Sequence, residues 1–128
     1  MSNAYIRHGL GAVRPYLYGD YELPDFLKSV FGAEEIERHE VPGKQQAHVE
    51  VRVGDSVIIV EAGGVPVYGE SPTASVYVYV EDVDAAYVRA LDAGAAAIEP
   101  PSDKPYGERS CGVRDPSGNT WWISRVFT

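Results

Sequence analysis

Hydrophobic and polar positions along this chain fall into two runs of the same order. In His48-Val49-Glu50-Val51-Arg52-Val53 every second residue is valine. Val49, Val51 and Val53 therefore share the core face of a strand, and His48, Glu50 and Arg52 point away from it. After Gly54-Asp55, the run Ser56 to Glu61 (SVIIVE) is more uniformly apolar, as a strand covered on both faces should be. Upstream, Val13 to Tyr18 (VRPYLY) reads as a short strand with Val13 and Leu17 on one side and Arg14, Tyr16 and Tyr18 on the other. Leu23, Phe26, Leu27, Val30 and Phe31 then recur at helical spacing, with Pro24 in the first turn and Gly32 as the stop. Glu35 to Glu40 is compatible with a strand, and Pro42-Gly43 with a turn.

The order begins again after Ala62 to Ser71 (AGGVPVYGES), whose glycines and proline predict an exposed connection. Ser75 to Val80 alternates, placing Val76, Val78 and Val80 opposite Ser75, Tyr77 and Tyr79. Asp82 is positioned to cap a helix whose apolar side carries Val83, Tyr87, Ala90 and Leu91. Ala95 to Glu99 predicts a strand and Pro100 to Tyr106 a loop. The chain closes on a hairpin in which Cys111-Gly112-Val113 and Thr120-Trp121-Trp122-Ile123 flank the turn residues Arg114 to Asn119. Gly32-Ala33-Glu34-Glu35-Ile36 echoes Gly94-Ala95-Ala96-Ala97-Ile98, and Gly54-Asp55 stands where Arg114-Asp115 stands in the second half. This register predicts one domain over residues 1–128, of the α+β class, built from two βαβββ modules at 5–62 and 74–128.

A strand, then Arg114-Asp115-Pro116-Ser117-Gly118-Asn119, then Trp-Trp-Ile resembles the last hairpin of the vicinal oxygen chelate superfamily, the glyoxalase, bleomycin-resistance and extradiol-dioxygenase group. Pro15-Tyr16-Leu17, Phe31 to Glu35, Gly54 to Ser56 and Val80 to Tyr87 are similar to segments of its small one-domain members. The resemblance implies paired concave mixed sheets that enclose a cavity, with helices on the outside.

Composition narrows the function. The 19 acidic and 11 basic residues give a net charge of −8, which repels phosphate backbones and anionic membrane surfaces, so neither nucleic acid nor membrane is an expected partner. At 128 residues the chain suits one core without staples. The lone Cys111 rules out an intramolecular disulfide, and no apolar run of spanning length or signal-peptide pattern occurs, so a cytoplasmic protein is expected.

If helices cover the sheet faces bearing Leu17, Ile58, Val60, Val76, Val78, Trp121 and Ile123, the cavity is lined by the opposite parity: Arg14, Tyr16, Tyr18, Val57, Ile59, Glu61, Ser75, Tyr77, Tyr79, Trp122 and Ser124. Metal-dependent relatives carry ligands on the first and fourth strand of each module, at positions that resemble Arg14, Ile59, Ser75 and Ser124. An arginine, an isoleucine and two serines do not make a divalent-metal site, so no metal and no cofactor is expected. His8, His39 and His48 are not expected to substitute. Arg14 is expected to meet Glu61, and the loop with Tyr106 and Arg109 to lie beside the opening.

The tyrosines and Trp122 have two readings, a stacking box for a flat ligand or a subunit interface. The leading functional expectation is a metal-independent, homodimeric small-molecule binding protein of the glyoxalase/bleomycin-resistance type that sequesters a planar aromatic compound. The alternative is an enzyme of the same fold, a lyase, isomerase or dioxygenase-like catalyst acting on a small metabolite. In a metal-free version Tyr, Glu61 or Arg14 would move protons.

Overall fold

The computed structural model describes residues 4–64 and 73–127, so most of the connection expected over 62–71 lies outside the described residues. A 3-10 turn at Arg7–Gly9 precedes strand β1 (Tyr16–Gly19), helix α1 (Leu23–Phe31) and strands β2 (Glu34–Glu40), β3 (Ala47–Val53) and β4 (Ser56–Ala62). The second half repeats this with β5 (Ser75–Tyr79), α2 (Val83–Asp92), β6 (Ala96–Lys104), β7 (Glu108–Arg114) and β8 (Thr120–Val126). The sheets have orders β1-β4-β3-β2 and β5-β8-β7-β6. In each, the first strand pairs parallel with the fourth and all other pairs are antiparallel. Two modules of identical topology thus form the α+β architecture expected from the periodicity.

The helices start and stop for local reasons. Pro24 sits in the first turn of α1, and Gly32, at φ +64, turns its N–H back onto the carbonyls of Leu27 and Lys28. The Asp82 carboxylate accepts from the Ala85 N–H at 3.0 Å and caps α2. Each helix covers one face of its own sheet, and the two helices also pack against one another. Leu17, Val49, Val51, Val60, Trp121 and Ile123 are fully or almost fully buried in one core that spans both modules. Phe31 of α1 lies 5.1 Å from the Trp121 ring, centroid to centroid, and Arg89 of α2 donates twice to the Val30 carbonyl, at 3.1 and 3.0 Å. The second of these contacts supplies a partner for a carbonyl at the end of α1.

The turn before β8 is held by Asp115, which is 3% exposed. Its Oδ1 accepts the backbone N–H groups of Ser117 (2.9 Å) and Asn119 (3.0 Å), and its Oδ2 accepts the Trp121 indole N–H at 2.8 Å. Asn119 Oδ1 in turn accepts the Ala74 N–H at 2.9 Å, tying the entry of β5 to the hairpin. The Asp-Pro-Ser-Gly-Asn segment is therefore a structural clasp.

Two elements differ from expectation. The first strand, expected over Val13 to Tyr18, begins only at Tyr16, so Val13, Arg14 and Pro15 precede it. The loop expected over Pro100 to Tyr106 is largely strand, because β6 continues to Lys104. It does so through register shifts between Ala97 and Glu99 and between Glu99 and Ser102. β6 is the edge of its sheet, where prolines that lack an N–H can be accommodated on the unpaired side.

Candidate functional site

The sheet faces turned away from the helices carry the polar and aromatic residues. On the first sheet, Tyr16 and Tyr18 of β1 lie opposite Ile59 and Glu61 of β4, and Glu61 and Ile59 lie opposite His48 and Glu50 of β3. Glu50 and His48 continue the face to Glu37 and His39 of β2. On the second sheet, Ser75, Tyr77 and Tyr79 lie opposite Thr120, Trp122 and Ser124, and Ser124, Trp122 and Val126 lie opposite Ser110, Gly112 and Glu108. The alternation of β-strand side chains puts each set on one face.

Both faces carry a tyrosine pair beside a glutamate, which one hydroxyl engages on the first sheet and both engage on the second. The Tyr16 and Tyr18 rings are 5.6 Å apart, and the Tyr16 hydroxyl donates to Glu61 Oε1 at 2.7 Å. The Tyr77 and Tyr79 rings are 5.5 Å apart, with both hydroxyls donating to Glu108, that of Tyr79 at 2.7 Å. Burial and the neighbouring Glu61 carboxylate raise the Tyr16 pKa, whereas the tyrosine hydroxyls hold Glu108 below the usual carboxylate range. Tyr16, Tyr77 and Tyr79 remain 49%, 47% and 61% exposed. Trp122 lies over Gly112, where a Cβ would overlap the indole ring.

Glu61 also bonds His48 Nδ1 at 2.5 Å, and His48 Nε2 meets Glu50 Oε2 at 3.1 Å. Burial alone would lower the His48 pKa, but the two carboxylates outweigh it and raise the value. Arg14 does not meet Glu61. Its Nη1 donates to Glu50 at 2.8 Å, and its remaining donors bind the carbonyls of Gly11 (2.8 Å), Leu10 (3.0 Å) and Arg7 (2.5 Å). The guanidinium thus folds the segment before β1 down onto β3, and Arg14 and Glu61 are joined only through the Glu50–His48 chain.

Other expected residues are distributed as follows. Tyr16, Tyr18, Ile59, Glu61, Ser75, Tyr77, Trp122 and Ser124 take the face opposite the helices. Ser124 is buried, its hydroxyl 2.8 Å from that of Ser110. Tyr106 is exposed at the β6–β7 turn, near enough to Tyr77 and Tyr79 to influence their hydroxyls. Arg109 belongs elsewhere: odd-numbered β7 residues face the helix side, and Arg109 bonds Asp84 of α2 at 2.9 Å and Asp103 at 3.1 Å. Sequence reasoning missed His48, Glu50 and Glu108. The register of the flanking hairpins was the signal that could have found them.

The positions that resemble the metal ligands of relatives do not fit a metal. Arg14 is a cation saturated by Glu50 and three carbonyls, Ile59 has no donor atom, and the Ser124 hydroxyl is engaged with Ser110.

Among the described residues the main element contact between the modules is that of α1 with α2. A cleft of about 680 Å³ runs along the module junction, lined by Pro15, Ile58, Arg89, the edge strand β5 from Val76 to Tyr79, and Val80.

Residues 22–123 match the Glyoxalase/Bleomycin resistance protein/Dioxygenase superfamily, and the chain belongs to that family. Among curated proteins it is 30% identical over 132 residues to an uncharacterized protein of Mycobacterium bovis, covering 89% of this chain and 82% of that protein. Among solved structures it resembles TioX from Micromonospora sp. ML1, at a TM-score of 0.72 and 29% identity, covering 91% of this chain and all of the other. TnmS3, an antibiotic binding protein from Streptomyces sp. CB03234, shares the fold at a TM-score of 0.66 and 16% identity, covering 91% of this chain and 97% of that one.

Proposed function

We infer that this protein is a small-molecule binding protein that sequesters a planar aromatic compound without passing it through a metal, and that it does so as a homodimer. The observation that carries the reading is the repeated device on the open faces: partly exposed tyrosine pairs beside a carboxylate, with Trp122 next to one of them. Flat π-faces offer stacking area, and the glutamates orient a donor on the ligand. The donor-poor set Arg14, Ile59, Ser75 and Ser124 argues against the metal chemistry of enzymatic relatives. The shared fold of TnmS3, an antibiotic binding protein, is consistent with this reading.

Dimerisation follows from the open faces. A half-exposed tyrosine face on each module leaves a flat ligand covered on one side only, whereas ligand pockets typically cover most of the ligand surface. A second copy that sets its second sheet over the first sheet of its partner would enclose the ligand between Tyr16 and Glu61 on one side and Tyr77, Glu108 and Trp122 on the other.

A second reading rests on the Tyr16–Glu61–His48–Glu50 chain, which places an acid and a base within hydrogen-bond reach of one another, as a proton-transferring enzyme requires. A thermal-shift screen of polycyclic aromatic compounds on wild type and Trp122→Ala tests the binding reading. A ligand that stabilises the wild type by several degrees and the variant by much less is expected; stabilisation that is equal in both refutes the assignment of this face.

A further inference from the structure

All three histidines of the chain converge on one region of the first sheet. His39 and His48 stand side by side on β2 and β3, with ring centroids 6.1 Å apart, and His8 reaches the same face from the 3-10 turn before β1. They meet there with two carboxylates. Glu37 Oε1 lies 2.8 Å from His8 Nε2, Glu37 Oε2 lies 2.5 Å from His39 Nε2, and Glu50 Oε2 lies 3.1 Å from His48 Nε2.

We propose that His8, Glu37 and Glu50 form a binding site for a divalent transition-metal ion of the zinc type, on the β2–β3 side of the first sheet and beneath the N-terminal segment. One ligand atom from each of the three lies within 4.8 Å of the others. Zinc holds imidazole nitrogen and carboxylate oxygen at about 2.0–2.2 Å, which spaces its ligands roughly 3–4 Å apart, so small side-chain rotations close the set. Imidazole with carboxylate is the donor combination that suits zinc and its neighbours in the first transition row.

Two further observations favour a metal over a set of ion pairs alone. Glu50 is 4% exposed, and Arg14 occupies its Oε1 while Oε2 meets His48 Nε2. Glu37, Glu50 and Glu61 against Arg7 and Arg14 leave one net negative charge (−3 + 2) before any histidine protonates, so a dication is electrostatically welcome. The site is separate from the four positions that resemble the ligands of relatives. Its role would be to pin the segment from Arg7 to Arg14 to the sheet, leaving the ligand-sequestering reading independent of it.

The test is a calorimetric titration of zinc chloride into tag-free, chelator-treated protein, paired with amide hydrogen exchange of residues 5–14 with and without zinc. One zinc per chain is expected at low-micromolar or tighter affinity, with at least tenfold weaker binding in His8→Ala and Glu37→Gln. Added zinc should slow exchange over residues 5–14 in the wild type and not in His8→Ala. If circular dichroism shows Glu37→Gln unfolded, His8→Ala decides alone, since His8 sits on an exposed turn with no core contacts. Absence of saturable binding below about 100 μM, or wild-type affinity in His8→Ala, would mean an ion-pair network only and overturn the proposal.

Discussion

Trp121 and Trp122 are neighbours in sequence and opposites in role, and replacing each by alanine separates the core from the open face. Trp121 is fully buried, packs on Phe31 across the module boundary and donates its indole N–H to Asp115 at 2.8 Å. A buried tryptophan side chain covers about 150–250 Å², which at about 25 cal/mol per Å² is worth roughly 4–6 kcal/mol. Measured large-to-small core replacements of this size cost about 3–5 kcal/mol. Trp121→Ala should therefore lower the urea midpoint by about 2 M, taking 4 kcal/mol and a denaturant slope of about 2 kcal/mol per M. Trp121→Phe retains most of the packing but removes the indole donor to the buried Asp115 carboxylate, at a cost of about 1–2 kcal/mol. Trp122→Ala should cost less than about 1.5 kcal/mol, since Trp122 is only partly buried. The assay is equilibrium urea unfolding followed by far-ultraviolet circular dichroism. A loss below about 1.5 kcal/mol for Trp121→Ala, or a loss in Trp122→Ala as large as that in Trp121→Ala, would refute the assignment of faces along β8.

Three further outcomes are expected. Cys111 is buried and its thiol is pushed up to about 11, chiefly by burial. It should react with a thiol reagent at pH 8 far more slowly in the native protein than in urea; equal rates would contradict its place in the core. The Arg38 guanidinium, bonded to Glu35 at 2.7 and 3.0 Å, and then Lys28 hold the Glu35 carboxyl down to about 2, against an ordinary value of 4.5. A depressed carboxylate contributes stability that is fully present above the unfolded value and is lost as pH falls through the folded one. The stability gap between wild type and Glu35→Gln should thus be constant from pH 6 to 7 and shrink between about pH 4.5 and 2, and a gap independent of pH down to 2 would contradict the pairing. Arg14→Ala removes the donors that gather the carbonyls of Arg7, Leu10 and Gly11 and leaves Glu50 without its guanidinium. Limited proteolysis should then cut within residues 5–14 at least tenfold faster while the remainder stays intact, and an unchanged rate would refute the anchoring of this segment by Arg14.

The two-module order was legible because each element carried its own local signal: valine alternation in β3 and β5, the apolar stripe of α1, Asp82 before α2, and turn residues before β8. The extent of β6 was not, since Pro100-Pro101 reads as loop and only the edge position of the strand makes it tolerable. Alternation along β1, β4, β5 and β8 points to the residues opposite the helices, while the strands between them contribute to the same face without a comparable local signal. The valine alternation shows only that His48 and Glu50 point away from the core, which does not distinguish solvent from a face shared with Glu61. The two-residue Gly54-Asp55 turn already implied the answer: it sets Val53 opposite Ser56, and therefore His48 opposite Glu61 and Glu50 opposite Ile59. Glu37 was harder to see, because its alignment with Glu50 depends on a register shift between Glu35 and Glu37 that no local pattern reports. The partnership of Arg14 depends on the folding back of the N-terminal segment, a long-range event set by hydrogen bonds to carbonyls.

Sequestration and catalysis differ in what becomes of the ligand. The most direct measurement incubates the purified protein with a planar aromatic compound from the thermal-shift screen, isolates the complex by gel filtration with light scattering, and identifies the released compound by mass spectrometry. Two chains of 14.0 kDa should elute together at about 28 kDa, carrying the compound stoichiometrically and releasing it with its mass unchanged. Release of a chemically altered compound, accumulating beyond one equivalent per site, would contradict the account and favour the Tyr16–Glu61–His48 chain as catalytic machinery.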